Sequence, residues 1–168
     1  MINGIHHTAI ATHDIERLIA FYCDVVGFEL VLRSGWEVGN TPLDNLVGLK
    51  ESSAKVAMLS AGNTFLELFE YASPRGEKQP GDRPVCDPGL THIGLNVTDI
   101  DAEFERLSRN GMRFHSPPIG DRGTVRAAYG RDPDGNVVEL LELFTAGHPF
   151  YLAKAPKPQF DDQRSVPA

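Results

Sequence analysis

An α+β fold of two tandem βαβββ modules is what this sequence predicts, and three observations predict it. A segment that opens Ile5-His6-His7-Thr8-Ala9-Ile10 and runs through Asp14-Ile15 to Gly27 returns as Thr91-His92-Ile93-Gly94-Leu95, through Asp99-Ile100 to Gly111. The copies keep step, with His7 and His92 85 residues apart and Asp14 and Asp99 the same 85. Each copy then closes on a strand-like segment carrying one carboxylate, Phe65-Leu66-Glu67-Leu68-Phe69 and Val137-Val138-Glu139-Leu140-Leu141. Self-similarity of this length marks a repeated structural unit, because chance would have to produce the pattern twice.

The elements follow in order. Residues 5–12 read as a strand. Asp14 is placed to cap a helix on which Ile15, Leu18, Ile19, Tyr22 and Val26 recur at helical spacing. Gly27 follows the last of them, where a helix end needs positive φ. Strands are predicted over 28–32, 54–60 and 64–70, the last two joined by the turn-type Ala61-Gly62-Asn63. Between them, 34–53 is a polar insertion punctuated by Gly and Pro, with Trp36 and a small apolar group at Leu43, Leu46, Val47 and Leu49. The first module thus spans 1–72, and residues 73–89, with Pro74, Pro80, Pro84 and Pro88, form a linker. The second module, 90–145, repeats the order: strand 90–97, helix 99–110, and strands near 112–115, 124–129 and 136–143. The turn Asp132-Pro133-Asp134-Gly135-Asn136 introduces the last strand. A proline-rich tail, 146–168, is expected to wrap the surface or fray.

Bulk properties narrow the partners. A formal net charge of −7, with arginines scattered rather than clustered, argues against nucleic acid or an anionic membrane. Apolar runs are strand-sized, too short for a bilayer span. The N-terminus lacks the pattern of a signal peptide. Two cysteines, Cys23 and Cys86, show neither CxxC spacing nor a disulfide framework. A small-molecule partner and a cytoplasmic location are the expectations.

Strand alternation assigns the chemistry. His7, Ala9 and Ala11 share a face, as do Phe65, Glu67 and Phe69; in the second module His92, Gly94 and Asn96 share one, as do Val137, Glu139 and Leu141. The strongly apolar opposite faces suit cover by a helix, which leaves the histidines and glutamates lining a cleft. A carboxylate on an apolar strand face is costly unless paired, exposed or bound to a cation; with His7, Glu67, His92 and Glu139 brought together, a divalent metal is the simplest compensation. Mixed imidazole and carboxylate donors admit Zn, Ni, Co, Mn or Fe. Only one of His6 and His7 is expected to face the cleft, and matching Thr8-Ala9-Ile10 to Ile93-Gly94-Leu95 favours His7. Glu70 and Glu142 fall off-face and are expected to be solvated. His13, His115 and His148 have no repeat partner. Trp36, Phe65, Phe69, Tyr71 and Tyr129, with Asn96, are candidates for the walls of a substrate pocket; core packing is the competing reading for each aromatic.

These motifs together resemble the vicinal oxygen chelate superfamily, which includes glyoxalase I, methylmalonyl-CoA epimerase, extradiol dioxygenases and fosfomycin- and bleomycin-resistance proteins. The resemblance rests on His7-Thr8-Ala9-Ile10 with Asp14-Ile15, and Phe21-Tyr22 before Val26-Gly27-Phe28. It continues through Leu66-Glu67-Leu68, His92-Ile93-Gly94-Leu95 with Asp99-Ile100, and Asp132-Pro133-Asp134-Gly135-Asn136 leading to Glu139-Leu140. It covers about residues 5–143. It implies one divalent metal ion held by His7, Glu67, His92 and Glu139 in a curved mixed sheet around a cleft, and a homodimer. Two His and two Glu are similar to the ligand set of bacterial-type glyoxalase I and close to that of the epimerase. The departure is the insertion: His7 to Glu67 spans 60 residues, His92 to Glu139 only 47. A lid, a substrate wall or a plain surface loop would each account for it.

The resemblance implies a metal-dependent isomerase or lyase, of glyoxalase or epimerase type, acting through an enolate-type intermediate on a substrate chelated by two adjacent oxygens. Glu139 or Glu67 would move the proton. The alternatives are an Fe- or Mn-dependent dioxygenase and a non-catalytic binding or resistance protein.

Overall fold

In the computed structural model, which describes residues 1–152, the duplication is visible as two sheets of the same design. The first module runs β1 (His7–Ala11), α1 (Ile15–Ala20) continued by a π-helical turn (Phe21–Val26), β2 (Glu29–Trp36), α2 (Thr41–Val47), β3 (Ser53–Ser60) and β4 (Phe65–Ser73). The second runs β5 (Ile93–Asn96), α3 (Ile100–Arg109), β6 (Arg113–Phe114), β7 (Ile119–Asp121), β8 (Val125–Arg131) and β9 (Val137–Leu143). Strand order is β1-β4-β3-β2 in one sheet and β5-β9-β8-β6 in the other, with β7 added beside β8. The crossover pairs β1–β4 and β5–β9 are parallel, and the other pairs are antiparallel. The sheets are separate and mixed, rather than one continuous curved sheet.

Local chemistry sets these elements. Asp14 and Asp99 cap α1 and α3, accepting from Arg17 N at 3.1 Å and Ala102 N at 3.3 Å. Gly27 ends the first helical segment at φ 98°, a conformation that would strain any residue with a Cβ. The buried faces are the ones the alternation assigns: Ala57, Leu59, Leu66 and Leu68 lie against Ile15, Leu18 and Ile19 of α1, and Val138 and Leu140 lie with Ile100 and Leu107 of α3. Burying a side chain such as Leu68 or Leu140 completely contributes about 1.5–3 kcal/mol.

Two stretches differ from expectation. β2 extends to Trp36, into the region read as insertion, and residues 41–47 form a helix instead of a loop. Asn40 caps that helix by accepting from Leu43 N, and Pro42 sits in its first turn, where no amide hydrogen is needed. The second module gains the short β7 where the sequence suggested only a connection. The tail beyond residue 152 lies outside the described residues.

The modules are joined through the Asp132–Asn136 turn. Tyr22 donates its hydroxyl proton to buried Asp132 at 2.9 Å, Thr12 donates to Asp134, and Arg17 pairs with Asp134. From the other side, the Arg106 guanidinium donates to the Val25 carbonyl. Asp132 also accepts from the amides of Asp134 and Asn136 and from the Asn136 side chain, each at 2.9 Å. Burial outweighs these donors and raises its pKa above the ordinary carboxylate value. The Tyr22 phenol is pushed well up, by burial first and by Asp132 next. The linker packs on the same turn: a Cβ at Gly135 would fall 2.3 Å from the Gly81 carbonyl oxygen, so glycine is required there.

Candidate functional site

The alternation that buries Leu66 and Leu68 turns Phe65, Glu67, Phe69 and Tyr71 to the open face of β4. β1 lies parallel beside it, with His7 opposite Phe65 and Ala9 opposite Glu67. The His7 imidazole reaches along the strand, placing Nε2 3.3 Å from Glu67 Oε2. The second module repeats the device. Gly94 is opposite Glu139, His92 immediately precedes β5, and its Nε2 lies 3.2 Å from Glu139 Oε2. The imidazoles are 40% and 31% exposed and the carboxylates 17% and 16%, so both pairs are open to a small molecule. The residue beside each carboxylate is small, Ala9 or Gly94; a Cβ on Gly94 would already touch Glu139 Oε2 at 3.5 Å.

The other ring nitrogen is engaged in each histidine. His6 Nδ1 lies 2.9 Å from His7 Nδ1, and Thr91 Oγ1 lies 2.9 Å from His92 Nδ1. An imidazole whose Nδ1 proton is held by a neighbour keeps its Nε2 lone pair for a metal. His6 therefore is not turned away from His7. β1 begins at His7, so strand parity does not govern His6, and its ring stacks on Phe65 with centroids 5.2 Å apart. Each glutamate also has a tyrosine near it. The Tyr71 and Tyr129 phenols are both raised, by burial first and then by the charge of Glu67 and Glu139 respectively. The Tyr129 ring sits 4.9 Å from the His92 ring.

Glu70 and Glu142, expected to be solvated, point to the helix-covered faces and accept from helix N-terminal amides. Glu70 Oε2 takes Ile15 N at 2.8 Å; Glu142 takes Asp99 N at 2.8 Å and Ile100 N at 2.9 Å. Their shared offset from Glu67 and Glu139 is the sequence signal that marks them as a repeated structural pair. His13 and His115 accept from Arg75 and Arg131 and stand apart from both pairs.

Of the candidate wall residues, Trp36 and Phe69 meet at 6.3 Å between centroids, with Tyr71 completing the cluster. Phe65 lies under His6, Tyr129 against His92, and Asn96 is exposed at the end of β5. A cavity of about 550 Å³ between the modules is lined by Phe65 and Asn96 but by none of the four His and Glu residues. A smaller one, about 230 Å³, is bordered by Ala9 and Ala11 of β1, by His92, and by Arg83 and Pro84 of the linker. Among the described residues no third imidazole, thiolate or carboxylate joins either His–Glu pair in a group that could hold a metal. The four expected ligands therefore stand as two pairs within one chain. Each pair offers nitrogen and oxygen donors of the kind a first-row divalent ion takes.

Two βαβββ modules, each with an open-face His–Glu pair, define the class of fold. The chain belongs to the Glyoxalase/Bleomycin resistance protein/Dioxygenase superfamily, whose model matches residues 4–140. It is 31% identical to a 2-epi-5-epi-valiolone epimerase from Actinomyces, over 88% of this chain and 82% of that one. It is 28% identical to a lactoylglutathione lyase from Pseudomonas aeruginosa, over 84% of each. In structure it is similar to a glyoxalase family protein from Bacillus cereus, with a TM-score of 0.77 at 21% identity, covering 86% of this chain and 97% of that one. Among the described residues no helix is long and apolar enough to cross a membrane.

Proposed function

We propose that the protein is a metal-dependent isomerase or epimerase for a substrate with two adjacent oxygens, and that it works as a homodimer. The observation that carries this is the duplicated His–Glu pair, with Nε2 turned to the glutamate and Nδ1 engaged by the preceding residue in both copies. In such a dimer, His7 and Glu67 of one chain would face His92 and Glu139 of the other, and the four would hold one ion of Zn, Ni, Co, Mn or Fe. When bound, the ion acidifies the proton α to a coordinated carbonyl. The chain's own contribution is to move that proton. A carboxylate oxygen of Glu67 or Glu139 takes it from the α-carbon and returns it to the neighbouring carbon or to the opposite face of the same carbon. The two carboxylates are held alike, each beside a small residue and a tyrosine. The relatives' names, an epimerase and a lyase, support proton movement at carbon as the chemistry.

Two tests bear on this reading. Protein loaded with Ni or Co should exchange the α-proton of a panel of α-hydroxy ketones and hemithioacetals for solvent deuterium, with about one ion bound per chain. Mixing His7→Ala and His92→Ala chains, each unable to bind metal alone, should restore binding to part of the sites, because one mixed interface has all four ligands. Wild-type chains that take up no metal would overturn the metal reading. Mixed chains that stay metal-free, beside a wild type that binds, would overturn the dimer.

A further inference from the structure

Beside Glu67 the first module carries a feature the second lacks. Trp36, the one tryptophan of the chain, ends β2 on the same face as Glu67: it pairs with Ala54, and Ala54 pairs with Tyr71. Its ring meets Phe69 at 6.3 Å and Tyr71 at 5.9 Å, edge-on to both, while Phe69 and Tyr71 stack at 5.6 Å and 14°. Ala54 and Val56, in the strand beneath, are buried; the three aromatics above them are half-buried and so present ring surface outward.

The insertion fixes this cluster in place. The Trp36 indole N–H donates to Ser52 Oγ at 2.9 Å. Ser52 is fully buried, and its amide and hydroxyl both donate to Asp44 of α2, which also accepts from Glu51 N at 3.0 Å. A ring with its polar edge already satisfied has only its apolar surface left to offer a ligand. The basic side chains of β2 and β3 point the other way: Arg33 pairs with Glu16 of α1, and Lys55 with Glu70. At matching positions in the second module, Leu141 and Leu143 of β9 face Ala127 and Val125 of β8, an aliphatic surface.

We infer that Trp36, Phe69 and Tyr71 form the subsite for a flat apolar ring, so that the substrate is an aryl-bearing compound whose ring lies next to its two chelating oxygens. The inference rests on the metal-dependent reading above and deepens it. Continuity along one strand, Glu67, Phe69, Tyr71, places the ring subsite beside the carboxylate, and the turning of Arg33 and Lys55 to the opposite face of β2 and β3 disfavours an anionic tail there.

The probes are benzohydroxamate and acetohydroxamate, which offer the same two adjacent oxygens and differ as phenyl against methyl. Ni-loaded full-length protein should bind the phenyl compound on the order of tenfold more tightly, with quenching of Trp36 fluorescence. Phe69→Leu and, read by calorimetry, Trp36→Leu should keep acetohydroxamate affinity and reduce the preference to about twofold or less. Tyr71→Phe, which keeps the ring, should retain the preference. Equal affinities in wild type, or a preference unchanged in both leucine variants, would overturn the ring subsite while leaving the metal site standing. Failure of both hydroxamates to bind would overturn the metal site and this inference with it.

Discussion

The two modules share a frame and a His–Glu pair but differ in the strands and loops beyond the pair's immediate neighbours. Both place Nε2 within 3.3 Å of a glutamate oxygen, both engage Nδ1 through the preceding residue, and both bring a tyrosine to the carboxylate. The first surrounds the pair with fixed aromatic rings and an added helix; the second uses aliphatic strands, a glycine and two arginines near the linker. On the proposed metal-dependent reading, the repeated parts are those a metal would need, and the unrepeated parts are those a substrate would meet. On that reading, duplication separates chelation from recognition within one chain.

That separation can be broken at its centre. Glu67→Gln and Glu139→Gln, made singly, should each lower proton exchange by about 10²–10⁴-fold, the scale of a lost general base. If one costs far more in turnover than in metal content, it is the base and the other chiefly a ligand. Equal loss of metal in both would assign both to chelation. Next in size are the Nδ1 partners. His6→Phe, which keeps the stack on Phe65, and Thr91→Val should each weaken metal affinity about 10–100-fold, read by competition with a chelator. An unchanged affinity in one would show that this module's histidine is oriented by packing alone. The inter-module contact comes third. Tyr22→Phe removes one donor from buried Asp132 and should cost about 1–3 kcal/mol in urea unfolding, with no counterpart at the matching position of α3, where the sequence has Leu107.

Much of this was legible in the sequence, for a physical reason. Period-two burial forces Leu66 and Leu68 inward and so forces Glu67 outward, and one alignment of the repeat then places His92 and Glu139. What the pattern could not carry was tertiary. Helix α2 has seven residues and none of them buried, so its apolar spacing was too weak to read; Asn40, Pro42 and the reach of Asp44 to Ser52 define it. His6 was read by strand parity one residue before the strand begins. Glu70 and Glu142 looked like solvent-facing charges because their partners, bare amides at helix starts, leave no mark in the sequence. Periodicity assigns faces, and how two faces on different modules approach each other depends on tertiary contacts such as those of the Asp132 turn.

The smallest predicted effect sharpens the comparison within those helix caps. Glu142 accepts from two amides, and one belongs to Asp99, which sits at φ 58°, a left-handed conformation unusual for a residue with a side chain. Glu70 accepts from one amide, with Lys55 at 3.2 Å as its second partner, and Asp14 has an ordinary negative φ. A carboxylate at a helix start contributes roughly 0.3–1 kcal/mol through the dipole, and a lost cap costs about 0.5–2 kcal/mol. Glu70→Gln should therefore cost a few tenths to about 1 kcal/mol, within those ranges. Glu142→Gln should cost about 1–2 kcal/mol, because Glu142 accepts from two helix-start amides where Glu70 accepts from one. Urea midpoints of the two variants measure the difference directly. Equal costs would mean that the second module's cap is no stronger than the first's.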